Sequence, residues 1–155
     1  MKTIFLSIQE QLASISELKY IDKNWGQLTY EQPPVRFPCV LLDIHSVEYS
    51  QLGMLAQQAS ANIELTVAVL HEATSSHKSN RKQQAYDIME LMDTIHQTLH
   101  GWATTDFAPL IRTATQKIEA TKGCQIYTMN YKTVWRELKR QNITEIIAEP
   151  KIKKE

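Results

Sequence analysis

His96 and His100 stand four residues apart, the spacing that puts two imidazoles on one helical face and lets them share a metal ion. The intervening residues are Gln97, Thr98 and Leu99, so the glutamate that turns such a pair into a hydrolytic zinc site is missing. His71-Glu72 and His77 flank a polar stretch and join the pair only if folding happens to bring them there. The pair therefore reads as two solvated helix histidines beside Ile95 and Leu99. No serine sits in a GxSxG-like elbow, and Gly26, Gly53, Gly101 and Gly123 are too scattered to cradle a phosphate or a dinucleotide. Cys39 and Cys124 lack CxxC spacing and read as reduced, half-buried apolar residues at the starts of two strands. Asp22, Asp43, Asp87, Asp93 and Asp106 lie apart and read as solvated carboxylates. The expectation is a protein that is not an enzyme, with no catalytic, cofactor-binding or metal-ligating residues.

The histidines belong to the most periodic stretch of the chain. In Arg81–His100 the apolar residues Ala85, Ile88, Met92, Ile95 and Leu99 recur at steps of three and four, with Trp102 in phase, which predicts a central amphipathic helix. Ser79 or Asn80 is placed to cap it and Gly101 to close it in a left-handed conformation. Lys78, Arg81 and Lys82 cluster at its start, where positive charge opposes the helix dipole. Burying such side chains gains roughly 1.5–3 kcal/mol each, against about 1–2 kcal/mol per residue in backbone entropy, so the helix needs a partner surface.

Strand-like runs on both sides supply one. Val40–Tyr49 is apolar and opens into alternation at Ile44, Ser46 and Glu48, and Ala59–His71 alternates more clearly. Leu110–Ala120 and Gln125–Trp135 flank a turn at Thr121-Lys122-Gly123-Cys124 and read as a long hairpin. Phe5, Ile8, Leu12 and Ile15 predict a first helix over Ile4–Glu17, Trp25-Gly26 a turn, and Gln27–Tyr30 a short strand. Pro33, Pro34 and Pro38 require an extended connection. The fold class is therefore α+β: an antiparallel sheet of four to five strands packed by a central amphipathic helix and an N-terminal helix.

Two places carry apolar residues that this sheet does not obviously use. Ser50–Ser60 reads as a hairpin tip holding Leu52, Gly53, Met54 and Leu55, which either fold back over their own core or meet another subunit. The last strand puts Tyr127, Met129, Tyr131, Thr133 and Trp135 on one face, the expected helix-packing face, whose tyrosines also suit an interface. Leu52, Met54, Leu55, Tyr127 and Tyr131 are thus the candidate subunit-interface residues.

At 155 residues the chain is the size of one domain, expected over 1–137, with 138–155 as a mobile, mildly basic extension. Lys plus Arg equals Asp plus Glu at 17 each, so bulk charge draws it to neither nucleic acid nor an anionic membrane. The N-terminal apolar run is broken at Ser7, too short for a signal peptide's core, and the expected compartment is the cytosol.

The order helix, short strand, two long strands, helix, long hairpin accompanies the strings Ile21-Asp22-Lys23-Asn24-Trp25-Gly26-Gln27-Leu28 and Pro33-Pro34-Val35-Arg36-Phe37-Pro38-Cys39-Val40-Leu41-Leu42. Together they resemble the small tail proteins of long-tailed bacteriophages and prophages, most of all the tail-terminator or tail-completion group. The resemblance covers roughly residues 1–137. It implies a non-enzymatic subunit that assembles with itself into a ring, a hexamer, which caps the tail tube and later meets the head-tail connector. Its partners are then tail-tube and connector proteins, and it is found in the host cytoplasm during assembly and in the virion tail afterwards. Another class that the same features permit is a cytosolic protein-protein adaptor or immunity-type binding module.

Overall fold

The computed structural model of the protein describes residues 1–70, 76, 78–80, 83–118 and 123–139. His71, Glu72, His77, Arg81, Lys82, Thr121, Lys122 and the chain after Lys139 lie outside the described residues. Helix α1 (Lys2–Leu12) leads into strand β1 (Tyr20–Lys23), followed by β2 (Cys39–Gly53), β3 (Ala56–Leu70), helix α2 (Asp87–Leu99), β4 (Ile111–Ile118) and β5 (Cys124–Leu138). The strands form one sheet in the order β1-β2-β3-β5-β4. β1 runs parallel to β2 and every other neighbour is antiparallel, so the α+β class holds with a mixed sheet.

Both helices pack on one face. Ile4, Ile8 and Leu12 of α1 and Leu91, Met92, Ile95 and Leu99 of α2 bury against Val40, Leu42, Ile63, Leu65, Val67, Met129 and Tyr131 of the sheet. The predicted stripe is therefore the buried one from Ile88 onward, and Trp102 closes it edge-on to Phe107 at 5.2 Å. The opposite face carries a smaller cluster, Cys39, Ala68, Cys124 and Ile126, covered by Tyr20, Leu28, Val35 and Phe37. The proline-rich connection is thus a lid on the second face.

Several boundaries differ from the sequence reading, each for a local reason. α2 begins at Asp87 after a 3-10 turn over Gln83–Tyr86, so neither Ser79 nor Asn80 caps it. Asp87 and Glu90 occupy its first turn and suit the dipole, which removes the charge mismatch expected at Arg81. Gly101 does adopt φ 76° after the helix. α1 ends at Leu12, five residues short of Glu17, where the Ser14 hydroxyl donates to the Gln11 carbonyl at 2.7 Å. Gln27–Thr29 is a 3-10 turn entered through Gly26 at φ 93°, and the short strand is β1 instead.

The alternation predicted through Ile44, Ser46 and Glu48 is broken by a bulge. Ile44 pairs with Ile63 and Ser46 with Asn62, leaving His45 as the extra residue. Ile44 and then Val47 consequently both reach the helix-packed core. The His45 imidazole lies between two carboxylates, Nδ1 3.5 Å from Asp43 and Nε2 3.2 Å from Glu64. Ser50–Ser60 is the hairpin tip expected from the sequence: β2 and β3 stay paired to Gly53 and Ala56, and only Met54 and Leu55 turn the corner. β5 accompanies them, pairing Leu138 with Ala56.

Ile95 is fully buried at the centre of the helix-sheet layer. Ile95→Ala is expected to destabilise the subunit by about 2–5 kcal/mol in urea unfolding, since a cavity between two packed layers closes poorly. A loss below about 1 kcal/mol would contradict this packing.

Candidate functional site

The helical spacing does bring the histidines together, with ring centroids 4.7 Å apart and planes tilted by 41°. What they do there is structural. The Arg112 backbone N–H donates to His100 Nδ1 at 3.3 Å, so neutral His100 carries its proton on Nε2, the atom that would have to be bare to hold a metal with His96. Burial depresses the His96 pKa, and the Arg112 guanidinium and His100 push it the same way. The pair is not evenly solvated as the sequence suggested: His100 is exposed, while His96 is half-buried with Nδ1 shut away from water. Together they tie the end of α2 to the start of β4. Among the described residues no group of three or more His, Cys, Asp or Glu is placed to hold a metal ion.

Cys39 and Cys124 head β2 and β5 as expected but are buried outright, at 0% and 5% exposure. β3 lies between them, Cys39 pairing with Ala68 and Cys124 with Leu70, which sets their strands about 10 Å apart and beyond disulfide reach. Burial pushes the Cys39 thiol up to about 12 and raises that of Cys124, so both are inert packing groups.

The candidate interface residues divide. Tyr131 is 1% exposed inside the helix-packed core, and burial pushes its phenol up to about 12; Tyr127 is half-buried on the same side. Their strand face is taken by the subunit's own helices, the helix-packing face expected from the sequence, so the candidate interface residue Tyr131 lies in the core. Leu52, Met54 and Leu55 are exposed at the far end of the hairpin, Met54 at 97%, and β5 adds Leu138 beside them. They do not fold back over their own core.

A second exposed feature escaped the sequence reading. The Asp22 carboxylate, read there as solvated, accepts from the Tyr20 hydroxyl at 2.8 Å, the Lys23 amide at 2.7 Å, and the Trp25 indole and Gln27 amide at 3.4 Å each. Gln27 is fully buried; its side chain donates to the Lys23 carbonyl at 2.7 Å and accepts from the Trp25 amide at 2.9 Å. This knot is why residues 24–29 turn instead of continuing as a strand. It holds Trp25 and Tyr30 outward, each about half exposed, as an edge-to-face pair 5.9 Å apart. The signal available in the sequence was the run of amide and carboxylate side chains, Asp22, Asn24 and Gln27, around Trp25-Gly26.

No protein-family model and no curated protein matches the chain. Solved structures do. Among 25 matching chains is one from the virion of a native gene transfer agent particle, which superposes with a TM-score of 0.53 over 86% of this chain and 95% of that one. The two share a fold. With 8% of residues identical, the likeness lies in the order and packing of elements and not in any set of side chains.

Burial alone would raise the Asp22 pKa, but the hydrogen bonds from Tyr20, Lys23, Trp25 and Gln27 outweigh it and hold it below 3.8. A lowered folded-state value stabilises the protein above pH 3.8, and that contribution is lost as pH falls through the folded pKa. Asp22→Asn is expected to cost about 1–3 kcal/mol at neutral pH, because it replaces one accepting oxygen with an NH2 donor that faces other donors. In acid titrations followed by circular dichroism, the difference from the natural protein should shrink below pH 3.8; a constant difference would mean that the charge is irrelevant.

Proposed function

We propose that the protein is a non-enzymatic structural component of a phage-type particle, and specifically a tail terminator that closes the tail tube as a ring and joins it to the head connector. The observation that carries this is the fold shared with a gene transfer agent virion chain, which extends over nearly the whole of that chain. The sequence strings around Trp25-Gly26 and Phe37-Pro38, which resemble the tail-terminator group, point the same way. The chemistry of the subunit is consistent with it: among the described residues His100, Asp22 and the two cysteines hold elements together or fill the core, and the exposed apolar groups include Leu52, Met54, Leu55 and Leu138 at the end of the long hairpin. A subunit of zero formal charge also lacks the like-charge repulsion that opposes self-association.

The test is the solution mass by light scattering across concentration, paired with electron microscopy of the protein mixed with tail tubes. The expected result is a ring of about six subunits, free or seated on tube ends. A protein that stays monomeric at every concentration and leaves tube ends bare would overturn the proposal.

A further inference from the structure

We propose that residues 140–155 cap the hairpin tip of their own chain, with Ile143, Ile146 and Ile147 covering the apolar side chains that the tip exposes. The inference concerns the single subunit and stands whether or not subunits form rings. Its first ground is the tip. Residues 49–60 contain no charge, although an exposed hairpin is ordinarily defended by charged side chains. Leu52, Met54, Leu55 and Leu138 are all exposed there, so the end of the sheet is a patch that costs little to desolvate and gains by being covered.

The second ground is the place at which the described chain stops. β5 pairs Leu138 with Ala56, and the Lys139 amide donates to the Leu55 carbonyl at 2.9 Å, so the backbone is held against the turn at the last described residue. Ile143 follows Lys139 by four positions and therefore lies within about 14 Å of it, whatever path the chain takes. It cannot leave the neighbourhood of the tip. β4 pairs with β5 only as far as Lys132, so among the described residues no strand flanks the last rows of β5 on that side, and the way back over the tip is open.

The third ground is the sequence that begins there. Ile146 and Ile147 stand three and four positions after Ile143, the spacing that gathers side chains into one stripe, and Glu145 and Glu149 fall off it. An uncharged tip accepts such a stripe without stranding a charge. The covalent connection also gives the segment an effective concentration at the tip on the order of millimolar, which anything arriving from solution has to exceed. A partner of the tip, a neighbouring subunit included, thus binds by displacing this cap.

Met54→Cys in the full chain makes the most exposed tip position a reporter, while Cys39 and Cys124, buried and with raised thiol pKa values, stay silent. Circular dichroism checks that each variant folds. Alkylation of the reporter by iodoacetamide is expected to be about tenfold slower than in the same chain carrying Ile143→Ser, Ile146→Ser and Ile147→Ser, because the thiol is open only in the roughly one tenth of molecules whose cap is off. Equal rates would overturn the inference. A second measurement separates contact from mere tethering and one copy from two. Oxidised with diamide, a Met54→Cys, Ile146→Cys chain is expected to close a disulfide within one subunit, and faster than a Met54→Cys, Glu145→Cys chain, whose second thiol lies off the stripe. Closure at the same rate in both would mean a tether without a docked stripe, and a disulfide joining two chains would give the tip to another copy; either result overturns the inference.

Discussion

A strand advances about 3.3 Å per residue and a helix about 1.5 Å, and the architecture depends on that mismatch. α1 and α2, of 11 and 13 residues, lie on a sheet whose three central strands are each 15 residues long. The helices can roof only part of it. Under the roof, the strands are apolar toward the helices; beyond it β2 and β3 become mostly Ser, Gln and Ala around Leu52, Met54 and Leu55, and β5 ends in Arg136, Glu137 and Leu138. The projecting end is thus built from the same three strands that hold the core. Its rigidity comes from continuous pairing on both sides of β3, so it projects as a stiff element.

Holding that sheet in register takes the residues that a search for chemistry would notice first. His45 is the bulged residue that shifts the phase of β2, and Asp43 and Glu64 grip its ring. His100 accepts from the Arg112 amide of β4, and the two cysteines are buried in the second-face cluster against which Leu28, Val35 and Phe37 pack. Asp22 fixes the turn that carries Trp25. Of these groups the two cysteines are buried, while His45 and His100 keep exposed rings and serve to hold strands together.

Periodicity made the covered half of the molecule legible. The stripe Ile88, Met92, Ile95, Leu99 and the alternation Ile63, Leu65, Val67 each report a face buried against a layer, and the sheet and both helices follow from them. What failed were features written in single residues. Nothing in the alternation around Ile44 announces that His45 will be left out of the ladder, and the β-like run Gln27–Tyr30 is overruled by one buried glutamine that bonds its own backbone neighbourhood. The hairpin tip read over Ser50–Ser60 is narrower than its composition suggests, since two residues suffice for the turn.

Candidate interface positions show where sequence patterning stops. Tyr131 and Met54 look equally suited to an interface by residue type, yet one is 1% exposed and the other 97%. The difference is set by distance along the sheet from the helices: Tyr131 pairs with Ile63 under the roof, while Met54 lies beyond the last row that α1, α2 or Phe107 can reach. An amphipathic pattern encodes which side of a strand is apolar, but not how far the covering layer extends. Surfaces made by that shortfall appear only when helix and strand lengths are laid against each other, and in this protein they leave Leu52, Met54 and Leu55 exposed.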